Sequence, residues 1–114
     1  MTQYCLACDL KDDERLIGAY DEYHKDVWPE IKDSLKLSGI RVMEIYRTGN
    51  RLFMIIRVTE DFSFEKKAAM DLASPIVQKW ETLMSLFQQQ ITWAPKNVKW
   101  ILMERVFLFE AFDK

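Results

Sequence analysis

Residues 3–10 alternate between apolar and other side chains, with Tyr4, Leu6, Cys8 and Leu10 on one side, the pattern of a half-buried strand. Lys11-Asp12-Asp13-Glu14 then brings acidic groups to a first helical turn, where the helix dipole favours them. The apolar period lengthens at Leu16, Ile17, Tyr20, Tyr23, His24 and Val27, which predicts a helix running to Trp28. Pro29 interrupts it, because proline offers no amide hydrogen and disfavours helical backbone in the residue before it. The same proline suits the first position of a second helix, 29–38, carrying Ile31 and Leu35 and stopped by Gly39. The result is a bent helical pair with His24 just before the bend. Two strands follow at about 40–48 and 51–59, and the Gly49-Asn50 step between these apolar runs signals a hairpin. A second helical region opens near 61–64 and is punctuated at Ser74-Pro75, an N-cap followed by proline at the first helical position. Ile76, Trp80, Leu83, Met84 and Phe87 mark its buried face. After a loop through Trp93, Pro95 and Lys99, residues 100–110 read as one long final strand.

The order βα(α)ββα(α)β is that of an α+β, ferredoxin-like split βαβ domain over residues 1–114, with a four-stranded antiparallel sheet and helices on one face. Both registers of the final strand are rich in large apolar groups: Ile101, Met103, Phe107 and Phe109 on one side, Leu102, Val106 and Leu108 on the other. A strand apolar on both faces asks for cover on both, so a homodimer joined through the open sheet face is expected.

Composition narrows the function classes. A chain of 114 residues, 49% hydrophobic and 30% charged, with three glycines and three prolines, is one globular domain with little disorder. A net charge of −2 argues against a nucleic-acid partner. The N-terminus lacks the charged and apolar regions of a signal peptide, and no apolar run nears the roughly 18 residues of a membrane span. The expectation is a soluble, cytoplasmic protein without a membrane partner. Cys5 and Cys8 form a C-x2-C inside a strand, where their spacing turns the two thiols to opposite faces. With no second pair to complete a zinc site, they read as inert residues. The three glycines are scattered, which leaves no phosphate-binding loop, and no cluster of metal ligands is evident. Chemistry therefore centres on His24, the single histidine. On a helix it stacks over Tyr20, pairing a phenol with an imidazole, whose unperturbed pKa of about 6.5 suits proton transfer near neutrality.

The stretch Tyr20-x3-His24-x3-Trp28-Pro29-Glu30, followed by Ser38-Gly39, resembles the L-rhamnose mutarotase family. Ile45-Tyr46, Leu52-Phe53-Met54, Val77-Gln78-Lys79-Trp80 and Val106-Phe107 extend the similarity over residues 3–109. The resemblance implies a dimeric ferredoxin-like enzyme that interconverts the anomers of 6-deoxy-sugars without a metal or organic cofactor. It implies His24 as the proton donor, Tyr20 and Trp80 as sugar contacts, and L-rhamnose ahead of L-fucose as substrate. Two positions depart from the family pattern: Glu81 stands where the second of an aromatic pair is expected, and Met43 where a tyrosine contacts the sugar. Trp28 is a further candidate for covering the apolar side of a deoxy-sugar.

Mutarotation opens a cyclic hemiacetal and recloses it on the other face of C1. An acid protonates the ring oxygen while a base takes the anomeric hydroxyl proton, and each positioned carrier is worth about 10²–10⁴-fold. The sequence leaves the base open among Tyr20, Glu81 and a water molecule. The architecture also hosts monooxygenase-like enzymes and ligand-binding modules without catalytic activity, so fold alone does not decide the function.

Overall fold

Every strand contact in the sheet runs antiparallel, and β1 lies at its centre. The computed structural model describes residues 1–112 and gives β1 (Thr2–Leu10), α1 (Glu14–Tyr23), α2 (Pro29–Leu37), β2 (Ile40–Thr48), β3 (Arg51–Val58), α3 (Phe64–Ala73), α4 (Pro75–Ser85), β4 (Gln88–Gln89) and β5 (Ile101–Leu102). The sheet order is β2-β3-β1-β4, and β5 also pairs with β1. This is the expected split βαβ arrangement, with Gly49-Asn50 turning the β2–β3 hairpin.

Register fixes the two faces. Tyr4, Leu6 and Cys8 stand opposite Ile56, Met54 and Leu52, and these six turn towards the helices. Cys5, Ala7 and Asp9 stand opposite Ile55, Phe53 and Arg51 on the open face, so the two thiols do point apart and both are free. The core under the helices joins Cys8, Leu10 and Leu52 to Tyr20, Ile31, Val77, Trp80, Met84 and Phe87. A second cluster, Leu6, Ile40, Ile56 and Val58, lies further along the sheet.

The helix starts follow their caps. Asp13 accepts hydrogen bonds from the Arg15 and Leu16 amides, Ser63 from Lys66, and Ser74 from Val77. Pro29 and Pro75 open α2 and α4. The first helix, however, stops at Tyr23 rather than running to Trp28. Trp28 has the extended backbone (φ −54°, ψ 135°) that a following proline imposes, and residues 24–28 form the bend.

The long final strand expected at 100–110 does not form within one chain. Its place beside β1 is taken by two two-residue strands: Gln88 and Gln89 opposite Leu10 and Asp9, and Ile101 and Leu102 opposite Ala7 and Leu6. A loop held by Gln90, whose Nε2 donates to the carbonyls of Pro95 and Val98, separates them. The Met103 amide still reaches the Cys5 carbonyl at 2.8 Å, and there the chain leaves the sheet. In this register residue 106 would face Thr2, the first residue of β1, so residues 107–110 lie beyond any partner that β1 provides. Val106, Phe107, Leu108 and Phe109 are consequently exposed, Val106 at 95% and Phe107 at 77%. The molecule extends 49 Å along one axis against 31 and 29 Å across it.

Gly39 joins α2 to β2 at φ +101°, and a Cβ added there would lie 2.8 Å from Thr59 Oγ1. Its carbonyl also accepts the Thr59 amide at 2.9 Å, so the turn cannot simply move aside. Gly39→Ala should therefore destabilise the fold by about 1–3 kcal/mol, the usual scale of a backbone held in a disfavoured region. Urea denaturation reads this directly, and an unchanged midpoint would show that the turn relaxes freely.

Candidate active site

Between the helices and the sheet lies a cavity of about 350 Å³. That is at the small end of the roughly 300–1,000 Å³ typical of small-molecule sites. Leu6, Met43, Ile45, Met54 and Ile56 form an apolar floor on the sheet. Tyr20, His24, Ile31 and Leu35 come from the α1–α2 side, Lys67 and Asp71 from α3, and Trp80, Glu81 and Met84 from α4. A more open hollow of about 600 Å³ shares His24, Val27, Leu35, Ile40, Met43 and Ile45, and Lys32, Lys36 and Arg41 border it. His24 thus belongs to the walls of both.

The position of His24 follows from the end of α1. It is the C-cap residue, and its amide is shared between the carbonyls of Tyr20 and Asp21 at 3.3 and 3.1 Å. Its ring Nδ1 lies 2.8 Å from the same Tyr20 carbonyl oxygen. A carbonyl only accepts, so Nδ1 carries the hydrogen and Nε2 is the ring nitrogen left to exchange a proton. The ring lies over Tyr20 (centroids 4.2 Å apart) and meets the Trp80 ring edgewise at 5.8 Å. Imidazole, phenol and indole are therefore locked together by packing.

Tyr20 is buried, and burial pushes its phenol well above the usual range, with Cys8 close by adding to the effect. A hydrogen bond with the Gln88 side chain opposes the shift without reversing it. The phenol remains protonated at neutral pH, which removes Tyr20 from the candidates for a free base. Cys8 is likewise pushed up by burial, to about 12, and stays an inert thiol.

The sequence candidates separate cleanly. His24, Tyr20, Trp80, Glu81 and Met43 all line the cavity. Trp28 does not; it packs edgewise against Trp80 with centroids 5.0 Å apart and supports that ring from behind. Three polar residues went unnoticed in the sequence. Lys67 and Asp71 form a 2.6 Å ion pair on the cavity wall, and Gln88 is buried beneath Tyr20. An i, i+4 Lys/Asp pair is the usual sign of a solvated helix face, so only its proximity to Phe64 and Ala68 hinted otherwise. Among the described residues no group of three or more His, Cys, Asp or Glu could hold a metal ion, and no helix is long and apolar enough to cross a membrane.

Glu81 is exposed as a residue, yet its carboxyl is hemmed in by protein at the cavity wall. That desolvation raises its pKa above the ordinary carboxylate value; Asp71 adds to the rise, while Lys67 and Lys99 oppose it.

Residues 3–109 match the family model described as L-rhamnose mutarotase. The chain is 40% identical over 109 residues to an L-fucose mutarotase of Xanthomonas campestris, covering 94% of this chain and 87% of the relative. The crystal structure of an L-rhamnose mutarotase from Formosa agariphila superposes with a TM-score of 0.70 at 27% identity, covering 96% of this chain and all of the other. Tetracenomycin F2 cyclase from Streptomyces glaucescens, a type-II polyketide cyclase, shares the fold alone, with a TM-score of 0.60 at 11% identity, covering 97% and 99% of the two chains.

A carboxyl whose pKa is raised in the folded state destabilises that state when ionised. The cost is absent below the unfolded value, about 4.3 for glutamate, and sets in as pH rises through the folded one. Glu81→Gln should accordingly raise the thermal midpoint at pH 7, and the gain should vanish as the pH falls to 4. A gain that is equal at both pH values would mean that the carboxyl is not desolvated.

Proposed function

We propose that this chain, which belongs to the L-rhamnose mutarotase family, interconverts the α and β anomers of a 6-deoxy-L-hexose, with L-fucose ahead of L-rhamnose as its substrate. Its standing as a sugar mutarotase rests on the family; the choice of sugar is the narrower step. The 40% identity to an L-fucose mutarotase reverses the order that the sequence motif alone suggests. The two sugars differ in configuration at C2 and C4, so the side chains that meet those two hydroxyls bear on the choice.

One observation carries the mechanism: the Nδ1 bond to the Tyr20 carbonyl commits His24 to working through Nε2 at the wall of a cavity sized for a monosaccharide. The protonated imidazole donates its Nε2 proton to the ring oxygen as the C1–O5 bond breaks. A base takes the anomeric hydroxyl proton, and the O–H electron pair becomes the second bond of the aldehyde. Rotation about C1–C2 presents the other face, and the same steps in reverse close the ring. Both carriers return to their starting states, so the reaction needs no net proton and, on this reading, no cofactor. Tyr20 contributes a neutral hydroxyl that hydrogen-bonds the sugar. Trp80 offers a ring to its apolar face, and Met43 borders the methyl group.

The working unit on this reading is a homodimer. The exposed apolar arm after β5 and the open sheet face, which carries Val42, Tyr46, Phe53 and Ile55, support it. Sedimentation at micromolar concentration should give a dimer, and a chain ending at residue 102 should give a monomer. A full-length monomer that is stable and active would refute the dimer.

Exchange between anomers of L-fucose and L-rhamnose, followed by NMR with and without protein, tests the reaction itself. His24→Asn should slow turnover by about 10²-fold or more while sugar binding is largely kept. Tyr20→Phe should weaken both, since it removes a hydroxyl from the sugar's surroundings and from Gln88. A folded His24→Asn protein exchanging anomers at the wild-type rate would remove His24 from the mechanism.

A further inference from the structure

The cavity holds five ionisable side chains: Tyr20, His24, Lys67, Asp71 and Glu81. Four are accounted for by their surroundings. Tyr20 is a buried neutral phenol, His24 is oriented by the Tyr20 carbonyl, and Lys67 and Asp71 are bound to each other. Glu81 differs. Among the described residues its carboxylate makes no hydrogen bond and no close ion pair, although it borders the cavity and the protein around it raises its pKa. Its backbone carbonyl, by contrast, accepts the Ser85 hydroxyl. A carboxylate without a protein partner thus stands on a cavity wall shared with the chain's single histidine.

Its placement is informative. Trp80 and Glu81 are consecutive on α4, so their side chains diverge by about 100° around the helix. Trp80 turns its ring towards His24, and Glu81 takes the side nearer Lys67 and Asp71 on α3. The cavity is thus bounded by His24 on the α1 side and Glu81 on the α4 side, with the Trp80 indole between them.

We propose that Glu81 is the second proton carrier of the reaction, the base that takes the anomeric hydroxyl proton while His24 protonates the ring oxygen, and that Lys67 and Asp71, acting on it in opposite senses, tune how readily it takes that proton. The proposal rests on the mutarotase reading. The active form holds one proton between His24 and Glu81. During ring opening the carboxylate gains the hydroxyl proton and the imidazolium loses its own; ring closure returns both, so protons and electrons balance with no outside reactant. Three charged groups act on Glu81: Lys67 and Asp71 on α3, and Lys99 in the loop before β5. Lys67 and Lys99 favour the carboxylate, the basic form, while burial and Asp71 favour the acid. Burial outweighs the lysines, so the net shift is upward and moves the carboxyl towards neutrality, where an acid–base catalyst is effective.

Anomer exchange is measured against sugar concentration and pH for wild type, Glu81→Gln and Glu81→Asp. Glu81→Gln should lower kcat by about 10²-fold or more with little change in KM, and remove the acid limb of the pH profile. Glu81→Asp should recover part of the rate. Unfolding does not account for the loss, since Glu81→Gln is expected to stabilise the protein. A Glu81→Gln enzyme with wild-type kcat and a raised KM would overturn the proposal, leaving Glu81 as a sugar-binding group. An acid limb that persists in Glu81→Gln would do the same. A wild-type protein that accelerates exchange of neither sugar would defeat the mutarotase reading itself and the proposal with it. One readout is independent of turnover: the carboxyl carbon-13 titration of Glu81, identified by its absence in Glu81→Gln. Its midpoint should rise in Lys67→Met and fall in Asp71→Asn; no movement in either would show that the α3 pair does not govern it.

Discussion

Pro29 decides where the first helix must stop, and the site is organised around that stop. A proline has no amide hydrogen and crowds the residue before it, so Trp28 is extended and a helix reaching from Glu14 cannot pass through it. The break falls five residues earlier, after Tyr23. In an unbroken helix the Tyr20 carbonyl would take the whole amide bond of residue 24. At this end that amide is divided between two carbonyls at 3.1 and 3.3 Å, and the Tyr20 oxygen has room for the His24 ring at 2.8 Å. The same bend lets Trp28 fold back onto Trp80, which in turn meets the edge of the imidazole. One missing hydrogen thus leads to the orientation of the histidine and to the support of the indole beside it.

The cavity exists because two apolar clusters do not merge. One gathers around Tyr20, Trp80 and Leu52, the other around Leu6, Ile56 and Val58, and Leu35 and Trp100 touch both. The polar groups of the interior converge at the gap between them, where Gln88, the Lys67–Asp71 pair, His24 and Glu81 all border the same space. Among the described residues every buried side-chain polar atom has a hydrogen-bond partner. A packing defect would leave polar atoms stranded at random; here the buried ones are satisfied.

Much of this was legible in the chain, for identifiable reasons. Gly49-Asn50, Ser74-Pro75 and Pro29 act through backbone chemistry that does not depend on the fold, and the hairpin, α4 and the start of α2 appear where expected, although α1 ends five residues before Trp28. The Tyr20/His24 stack is a property of helix geometry and survives intact. What failed to show depended on partners. Residues 100–110 have the composition of a strand, but a strand needs an edge, and β1 ends at Thr2 before the register reaches 107. Gln88-Gln89, two polar residues, gives no periodic signal at all, yet pairs with β1 and brings Gln88 beneath Tyr20. Lys67 and Asp71 look solvated because sequence shows their spacing and not the cavity they border.

The distribution of polarity in the cavity also bears on which sugar fits. In a 6-deoxy-hexose the ring oxygen lies between C1, which bears the reacting hydroxyl, and C5, which bears the methyl group. A proton carrier at that oxygen therefore needs a polar neighbour on one side and an apolar one on the other. His24 stands at such a boundary, between the sheet floor of Met43, Ile45 and Met54 and the polar wall of α3 and α4. An aromatic ring at position 81 would extend the surface of Trp80 and reward apolar C–H groups, whereas a carboxylate there rewards a hydroxyl and leaves an uncompensated charge when that hydroxyl points away. Because a site built to hydrogen-bond a group discriminates more sharply than an apolar pocket of the same shape, the proposed role of Glu81 would tie this site to the anomeric hydroxyl rather than to the face of the sugar. L-Fucose and L-rhamnose share that hydroxyl and the methyl group and differ at C2 and C4, so on this reading the choice between them falls to the groups that meet those two positions.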